Sequence, residues 1–280
     1  MKYNELTDEE KRIIEDKGTE TPFSGIYNDS FEEGIYTCKR CGVPLYHSTD
    51  KFKSKCGWPS FDDEIPDAIE RTPDSDGKRT EITCGNCGAH LGHVFIGENL
   101  TKKNTRHCVN SISMDFIPKE NVGKAIFAGG CFWGVEYHFS KVPGVLLTEV
   151  GYTGGEKENP TYDQVKTGET GHAEAIKIVY DSTRVSYEKL AKLFFEIHDP
   201  TQVNRQGPDI GSQYRSVIFY INDEQKQVAE NLKNTLIEKG VEVVTRIRKA
   251  EKFYSAEDYH QQYYKKNEKT PYCHIYQKRF

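Results

Sequence analysis

Eight cysteines are the residues of this chain best suited to chemistry, because a thiolate is both a nucleophile and a metal ligand. Six lie within the first 108 residues, and the other two are Cys131 and Cys273. The chain has 280 residues and starts without the apolar stretch of a signal peptide. A disulfide scaffold is typical of small secreted chains, so we expect metal binding or redox catalysis in the cytoplasm instead.

Two matched C-x-x-C-G motifs predict a structural zinc site, because four thiolates form a closed tetrahedral shell. The glycine after each pair lets the backbone turn tightly around a metal. Two disulfides, or an independent redox C-x-x-C motif, are the alternatives. A reducing location disfavours the disulfides, and the matching of the two pairs disfavours a lone redox motif. The four cysteines are Cys38, Cys41, Cys84 and Cys87.

Cys56 and Cys108 are free to react with each other if the other four cysteines of this half bind zinc. Arg106 and His107 flank Cys108, and a cationic neighbour lowers the pKa of a thiol. A small buried core residue is the alternative interpretation of such a cysteine. The polar residues that could donate a proton or orient a substrate here are His90, His93 and Asn110.

Cys131 follows two glycines at the point where a predicted strand gives way to a helix. Free backbone N–H groups and the positive end of the helix would stabilise a thiolate there. Phe132 and Trp133 offer an apolar wall beside it. The glycines would expose the sulfur, which favours a reactive cysteine over a core residue.

The elements that must position these residues fall into two halves. Short β-prone segments broken by Gly, Pro and Asp predict a mostly antiparallel β domain over 1–118, and a linker is expected over 119–123. Alternating strands and helices predict an α/β (α+β) domain over 124–280. The expected helices are 7–18, 132–141, 186–198 with Ser186 as N-cap, and 223–239, and the expected strands are 34–37, 80–83, 93–96, 111–116, 124–129, 175–180, 214–220 and 241–246.

Composition narrows the classes of partner. The net charge is −5 and the mean hydropathy is −0.74, so the chain as a whole lacks the basic character of a nucleic-acid-binding protein. No run approaches 18 apolar residues, so no membrane span is expected. We therefore expect neither a nucleic acid nor a membrane as partner.

The second half resembles a type A methionine sulfoxide reductase, and the first half resembles a type B reductase. Type A stretches are GCFWG at 130–134, GYTGG at 151–155, NPTY at 159–162, GHAEA at 171–175 and QGPDIGSQYR at 206–215. Type B stretches are GTETPFSG at 18–25, CGWPSF at 56–61, HLGHVF at 90–95, RHCVN at 106–110 and both cysteine knuckles. The resemblance implies two antiparallel sheets with zinc opposite the active site in the first half. For the second half it implies an α/β sandwich on a mixed sheet.

For the second half, the resemblance implies reduction of the S epimer of methionine sulfoxide. Cys131 is then the nucleophile, and Glu174 is the acid, with a pKa that burial would raise toward neutrality. Cys273, on a tail expected to be mobile, resolves the sulfenic acid to a disulfide. The other implied residues are Tyr162 and Tyr214 as donors to the sulfoxide oxygen, Asp209 to orient the site, and Phe132 and Trp133 around the methyl group.

For the first half, the resemblance implies a parallel cycle on the R epimer. Cys108 attacks, Cys56 resolves, and His93, assisted by His90, donates to the sulfoxide oxygen. The other implied residues are Asn110 and Arg106 nearby and Trp58 as the methyl-binding wall. Thioredoxin recycles both disulfides, no organic cofactor is needed, and the substrates are oxidised proteins or peptides and free methionine sulfoxide. Protein repair under oxidative stress is the implied role.

Two other classes of function are alternatives. Reactive cysteines alone also suit a general thiol peroxidase or disulfide oxidoreductase, but the set of Glu174, Tyr162 and Tyr214 does not. A zinc-knuckle binding module fused to an enzyme is the second, with the basic clusters 51–55 and 246–249 contacting nucleic acid. Such runs are more often solvated faces, so this class is disfavoured.

Overall fold

A computed structural model describes residues 3–280, and the chain divides into two compact units between Val122 and Gly123. Residues 119–121 form a short 3-10 turn, and the strand that enters the second unit already begins at Val122. Among residues 3–280, no helix combines the length and apolar character needed to cross a membrane. Each unit is described by itself below.

The first unit consists of two antiparallel sheets and one short helix. A three-stranded sheet has the order β2-β1-β9, a six-stranded sheet has the order β3-β4-β8-β7-β6-β5, and every neighbouring pair is antiparallel. This confirms the predicted fold class. The elements are α1 (Asp8–Ile14), β1 (Gly34–Cys38), β2 (Pro44–His47), β3 (Lys51–Phe52), β4 (Ser60–Phe61), β5 (Ile69–Pro73), β6 (Thr80–Cys84), β7 (His90–Ile96), β8 (Thr105–Val109) and β9 (Met114–Pro118).

Aromatic side chains join the two sheets of the first unit. Tyr46 of β2 stacks on Phe61 of β4 with ring centroids 4.2 Å apart, and Tyr36 of β1 meets the same Phe61 ring edge-on at 5.0 Å. All three rings are fully buried. Large buried rings supply much apolar area per residue, which suits a unit built from short strands.

The second unit is a mixed sheet with helices packed against one face. The strand order is β16-β15-β10-β12-β11-β17; β15 and β16 are parallel, whereas β15 with β10, and β11 with β12 and β17, are antiparallel. This α/β arrangement is the predicted one. The elements are β10 (Val122–Ala128), α2 (Phe132–Phe139), β11 (Val145–Thr153), α3 (Tyr162–Lys166), β12 (Ala173–Asp181), α4 (Tyr187–Ile197), β13 (Arg205–Gln206), β14 (Asp209–Ile210), β15 (Val217–Tyr220), α5 (Asp223–Glu238), β16 (Arg246–Lys249), β17 (Tyr254–Ser255) and α6 (Tyr263–Lys266).

The main core of the second unit lies between this sheet and helices α2, α4 and α5. Phe127 of β10 stacks on Phe139 of α2 at 5.4 Å and on Phe194 of α4 at 5.0 Å. Ala229 and Leu232 of α5 belong to the same buried cluster. This packing fixes the end of β10 against the start of α2, which is where Cys131 lies.

Helix starts were predicted better than strands. Thr7 and Glu10 form the capping box expected from the sequence, and Ser186 caps α4 as predicted. The strand expected at 241–246 is wrong, because the valines there pack irregularly on the core and the strand begins at Arg246. The strands expected at 111–116 and 214–220 start with 3-10 turns. The elements that were not predicted from the sequence are β2, β3, β4, β5, β8, β11, β13, β14, β17, α3 and α6.

Candidate active sites and metal centre

The four knuckle cysteines converge in the first unit. Cys38 ends β1 of one sheet and Cys84 ends β6 of the other. Their Sγ atoms each lie against a cysteine of the opposite knuckle, at 3.7 Å from Cys38 to Cys87 and 3.6 Å from Cys41 to Cys84. All four sulfurs lie within 4.8 Å of one another, so one small ion could contact them all.

The two knuckles have the same backbone turn. The N–H of Gly42 donates to the carbonyl of Cys38 at 2.7 Å, and the N–H of Gly88 donates to Cys84 at 2.8 Å. Both glycines have positive φ, +75° and +71°, a conformation in which a Cβ is strained. Zn–S bonds of about 2.3 Å in a tetrahedron place sulfurs about 3.8 Å apart. The observed spacing and the all-thiol donor set therefore fit a structural zinc ion.

In the second unit, Cys131 stands at the N-cap of α2, directly after a two-glycine turn that leaves β10. Gly130 has φ +99°, and a Cβ there would lie 2.6 Å from the side chain of Gln206. The turn therefore needs glycine for both its conformation and its space. The result is a cysteine held rigidly between a buried strand and a helix.

Glu174 lies beside this cysteine. It projects from β12, is 2% exposed, and its Oε2 accepts a 3.1 Å hydrogen bond from the backbone N–H of Phe132. Burial raises the pKa of Glu174, the Phe132 N–H opposes the shift and the charge of the nearby Asp209 adds to it, so that the pKa reaches about 8. Glu174 is therefore protonated at neutral pH, the direction expected from the sequence.

The substrate-free state of Cys131 differs from the expectation. Burial and the charge of Glu174 raise the pKa of Cys131 well above that of a free thiol, although the backbone N–H of Trp133 donates to its sulfur and acts in the opposite sense. Desolvation of this site outweighs the hydrogen bond from the Trp133 N–H. The resting group is thus a thiol, and the expectation of a thiolate stabilised by the helix is wrong.

Three further polar side chains surround the same point. Burial raises the pKa of Tyr162 to about 12 and also raises the pKa of Tyr214, and charges on Glu174 and Cys131 contribute to both shifts. Oδ2 of Asp209 is buried without a hydrogen-bond partner among residues 3–280. The structure therefore brings together the four polar residues predicted around the sulfur, Glu174, Tyr162, Tyr214 and Asp209.

The two aromatic residues after Cys131 have different surroundings. Phe132 is 1% exposed and belongs to a buried cluster with Val150 and Tyr152, so most of its ring is core. Trp133 is half-buried and stacks on Tyr263 at 3.8 Å. Its Nε1 donates to Nδ1 of His260 at 3.0 Å. Trp133 is thus the accessible part of the predicted apolar wall.

The C-terminal tail is anchored, so the expectation that Cys273 lies on a mobile tail is wrong. The carbonyl of His274 accepts from Nε2 of His138 at 2.9 Å, and the N–H of Gln277 donates to the carbonyl of Glu196 at 2.7 Å. A charge on Cys273 is among the influences that raise the pKa of Cys131. The structure thus holds Cys273, half-buried, in the vicinity of Cys131.

The first unit has its own dithiol. The Sγ atoms of Cys56 and Cys108 lie 3.6 Å apart, and the hydroxyl of Ser54 donates to Cys56 at 3.0 Å. Cys108 of β8 is paired with Ser60 of β4 and with His93 of β7. Paired residues of neighbouring strands project to the same face, so the sheet places His93 beside the sulfur.

The pKa values of the two thiols are shifted in opposite directions. A hydrogen bond from Cys108 lowers the pKa of Cys56 to about 4 and, together with burial, raises the pKa of Cys108. Arg106 lies close enough to Cys108 to oppose that rise. Ring and charge contacts hold this guanidinium, which lies 4.4 Å over Phe95 and donates twice to Glu98, at 2.7 and 2.9 Å.

His107 does not supply the positive charge expected beside Cys108. Successive residues of a strand face opposite sides, so His107 projects away from the dithiol. It is fully buried against Tyr46, with Nδ1 3.1 Å from the hydroxyl, and Nε2 lies 3.1 Å from the guanidinium of Arg71. Burial lowers the pKa of His107 to about 4, so it is neutral. Arg106 alone fills the predicted cationic role.

Both predicted proton donors of the first unit have carboxylate partners. Nε2 of His93 lies 2.6 Å from Oδ2 of Asp74, and Nδ1 of His90 lies 2.7 Å from Oε1 of Glu81. A cation holds each carboxylate: Arg79 at 3.1 Å from Asp74 and Lys17 at 2.8 Å from Glu81. The two imidazoles are in edge contact, with centroids 5.7 Å apart.

Asn110 and Trp58 contact a common segment of backbone. The backbone N–H of Glu20 donates to Oδ1 of Asn110 at 2.9 Å, and the backbone carbonyl of Glu20 accepts from Nε1 of Trp58 at 3.1 Å. Nδ2 of Asn110 donates to the carbonyl of Leu91 at 3.0 Å. Asn110 therefore ties together the strands and loop around the site rather than presenting a free amide.

The comparisons with known proteins agree with this geometry. Residues 123–280 match the family model described as peptide methionine sulfoxide reductase, and residues 6–118 match the SelR domain model. The chain belongs to the peptide methionine sulfoxide reductase family. The prediction of a type B (SelR) domain ahead of a type A domain is thereby confirmed, as is methionine sulfoxide reduction as the activity.

Relatives and a solved structure cover the second unit. Peptide methionine sulfoxide reductase MsrA of Nautilia profundicola is 53% identical over 150 residues, which are 54% of this chain and 87% of that protein. MsrA of Methanosarcina acetivorans is 55% identical over 152 residues, 53% of this chain and 81% of that one. The crystal structure of Mxr1 from Saccharomyces cerevisiae in reduced form is 34% identical, with TM-score 0.53, and covers 57% of this chain and 94% of that one.

Several residues of these reductase sites were missed in the sequence. In the type A unit they are His260 and Tyr263, and the aromatic- and His-rich segment 259–264 was a visible signal. In the type B unit they are Asp74 and Glu81, which are 19 and 9 residues away in sequence from their histidines. Only strand pairing brings such carboxylates to the site, so spacing alone gave no signal.

Lys51 of the basic cluster 51–55 is not free to bind a phosphate. Lys51 is 8% exposed, and its Nζ donates to the carbonyl of Ser30 at 2.6 Å and lies 3.9 Å over the ring of Phe31. An ammonium group committed to a carbonyl and a ring is unavailable to a phosphate. This removes one of the three lysines of the cluster from the nucleic-acid alternative.

Proposed function

We propose that the chain reduces both epimers of methionine sulfoxide, the S epimer at Cys131 and the R epimer at Cys108. The observation that carries this proposal is the presence of two separate constellations, each with a cysteine, proton donors and a second cysteine. The epimer assigned to each unit is the one that its family resemblance implies. The substrates are oxidised proteins and peptides and free methionine sulfoxide, and the result is repair of oxidised proteins.

At Cys131 the sulfur attacks the sulfoxide sulfur while the sulfoxide oxygen gains a proton. Glu174 is the proposed acid, because burial keeps its carboxyl group protonated at neutral pH. Tyr162 and Tyr214 donate hydrogen bonds to the same oxygen, and Asp209 orients the site. The thiol proton of Cys131 passes to the Glu174 carboxylate, which restores the acid. The protonated oxygen moves from the methionine sulfur to the sulfur of Cys131 as the transient S–S bond breaks, so methionine departs and Cys131 is left as a sulfenic acid.

Cys273 then resolves the sulfenic acid. Its sulfur displaces the oxygen as water and forms the Cys131–Cys273 disulfide, so one sulfoxide and two thiols become one methionine, one disulfide and one water. Thioredoxin, a dithiol, is the proposed partner that reduces this disulfide by exchange. No organic cofactor takes part, since all electrons come from thiols.

At Cys108 the corresponding steps use imidazole groups. His93 delivers a proton to the sulfoxide oxygen, and the carboxylate of Asp74 at 2.6 Å stabilises the charged ring. His90 assists from its edge contact with His93, and the carboxylate of Glu81 at 2.7 Å orients its ring. Arg106 favours the attacking thiolate, Trp58 contacts the substrate methyl group, and Cys56, already 3.6 Å away, resolves the sulfenic acid.

A zinc ion is the proposed occupant of the knuckle cluster. Cys38, Cys41, Cys84 and Cys87 would hold it, and when bound it supplies folding energy rather than reactivity, because four thiolates leave no open coordination position. The cytoplasm is the proposed location, because free dithiols and reduced thioredoxin require a reducing compartment.

The test is a steady-state assay with each resolved epimer and thioredoxin as reductant. We expect both epimers to be reduced, with C273S arresting turnover of the S epimer and C56S arresting turnover of the R epimer after one methionine per site. Hydrogen peroxide serves as the competing substrate. Full multiple-turnover activity in C273S, or preference for peroxide over both sulfoxides, would contradict the proposal.

A further inference from the structure

His274 is a buried residue that the cycle above leaves unused, although both of its ring nitrogens have partners. Nε2 lies 2.8 Å from the carbonyl oxygen of Gly129, and Nδ1 lies 3.0 Å from Sγ of Cys273. A carbonyl oxygen can only accept, so Nε2 carries the ring proton and Nδ1 offers a lone pair. The thiol of Cys273 therefore donates to Nδ1.

The turn that carries Cys131 leaves room for this imidazole. A Cβ on Gly134 would lie 2.2 Å from Nδ1 of His274, and a Cβ on Gly130 would lie 3.2 Å from Nε2. Glycine inside a helix costs roughly 1 kcal/mol relative to alanine. Gly134 lies in the first turn of α2, and the imidazole ring of His274 fills the space that the missing side chain leaves.

We propose that His274 is the base for the resolving step, an inference that rests on the proposed function. As Sγ of Cys273 attacks the sulfenic sulfur of Cys131, its proton passes to Nδ1 of His274. The S–S bond forms, the S–O bond of the sulfenic acid breaks, and the departing hydroxide takes the proton from the imidazolium ring to leave as water. The disulfide and one water are the products, and His274 returns to its neutral form.

The surroundings of the pair favour proton transfer from Cys273 to His274 in the same step as formation of the S–S bond. Burial lowers the pKa of His274 to about 4, and burial followed by the charge of Asp209 raises the pKa of Cys273 to about 11. A separated thiolate and imidazolium is therefore scarce at neutral pH. The other titratable groups that face this pair are His138 of α2, His198 after α4, Glu174 of β12, Tyr264 of α6, Tyr272 and Cys131.

The variant H274Q tests the role of Nδ1 as a base separately from the role of Nε2 in anchoring the side chain to Gly129. A glutamine amide nitrogen occupies roughly the position of Nε2 and can still donate to Gly129, but nothing replaces Nδ1. The protein receives one equivalent of the S epimer without thioredoxin. Methionine release, free thiols and dimedone-trapped sulfenic acid are then followed in time. We expect normal methionine release, accumulation of sulfenic acid, and disulfide formation at least about tenfold slower.

The pH profile distinguishes a base from a positioning residue. In the wild type, the disulfide step should vary little between pH 6 and 9, because His274 is neutral throughout. In H274Q the rate should rise about tenfold per pH unit, since attack then needs the free thiolate of Cys273. H138Q, which can still donate to the His274 carbonyl and does not touch Cys273, is the matched control and should behave as the wild type.

Each other outcome has a distinct meaning. Disulfide formation in H274Q as fast as in the wild type overturns the inference, and a slower step with the wild-type pH profile reduces His274 to an anchor and also overturns it. If H274Q does not fold, the wild type alone decides, because a disulfide rate that rises tenfold per pH unit there would equally exclude His274 as the base. Absence of methionine release from the wild type contradicts the proposed function itself.

Discussion

The backbone N–H of Phe132 donates a 3.1 Å hydrogen bond to Oε2 of Glu174, one residue after the thiol of Cys131. The first free backbone N–H group of α2 thus donates to the carboxyl group of Glu174 and not to the sulfur of Cys131. The bond fixes the carboxyl group next to the nucleophile. The protonated state of Glu174 instead comes from burial, which outweighs the hydrogen bond.

Replacement of Glu174 by glutamine should abolish most S-epimer reduction. The amide keeps the size and an acceptor for Phe132 but cannot deliver a proton, so kcat should fall by about 10²- to 10⁴-fold. R-epimer reduction should not change. E149Q, in which a partly exposed carboxylate of β11 is altered, is the control and should retain both activities. Retention of S-epimer reduction in E174Q would remove Glu174 from the mechanism.

The pH dependence of S-epimer reduction should follow the acid form of Glu174. The pKa of this group is raised to about 8, so the protonated form prevails below pH 8 and is lost as the pH rises through it. The single-turnover rate constant for reduction of the S epimer should therefore decline above pH 8. A rate that climbs steadily across this range would show that ionisation of Cys131, not protonation of the oxygen, limits the step.

Much of each site could be read from residue types at short spacing. The C-x-x-C-G pairs specify a repeated turn whose glycines adopt positive φ, and Gly129-Gly130-Cys131 places a cysteine at a helix start. The alternation of side chains along a strand was a further signal, and the expectation that both Arg106 and His107 act on Cys108 did not use it. In β8, Arg106 and Cys108 share a face and His107 takes the other, so the neutral state of His107 follows from its burial.

Other features depend on contacts between distant parts of the chain. The anchoring of the tail rests on His274 with Gly129 and His138, residues 145 and 136 positions apart. The raised pKa of Cys131 depends on how completely the surrounding side chains exclude water. Local sequence periodicity predicts neither the anchoring of the tail nor the exclusion of water around Cys131. This explains why the expected mobile tail and the expected thiolate were both wrong.

Replacement of Asp74 by asparagine should weaken R-epimer reduction selectively. Asparagine keeps the shape but removes the negative charge 2.6 Å from Nε2 of His93, which disfavours the charged ring. We expect kcat/KM to fall at least about tenfold, equivalent to about 1.4 kcal/mol of transition-state stabilisation. D76N changes a carboxylate of the same loop that pairs with Arg79, and it should leave the R-epimer rate near the wild-type value.

Loss of a knuckle ligand should remove the metal and the type B activity together. C41S breaks the four-thiolate shell, and structural zinc contributes on the order of 10 kcal/mol to folding of small domains. We expect about one zinc per chain in the wild type, little in C41S, loss of R-epimer reduction and an unchanged S-epimer rate. C56S, a cysteine-to-serine change in the same unit, should retain zinc. Metal content by atomic absorption and the two epimer assays provide the check, and R-epimer reduction by metal-free C41S would count against a structural metal.

The most direct test of two independent sites is the reduction of each resolved epimer by C108S and by C131S. C108S should lose R-epimer reduction and keep the wild-type rate on the S epimer, and C131S should show the reverse. Serine differs from cysteine by one atom, so each unit should keep its fold and report only on the missing sulfur. Loss of both activities from either single change, or reduction of both epimers by either variant, would contradict the assignment of one nucleophile to each epimer.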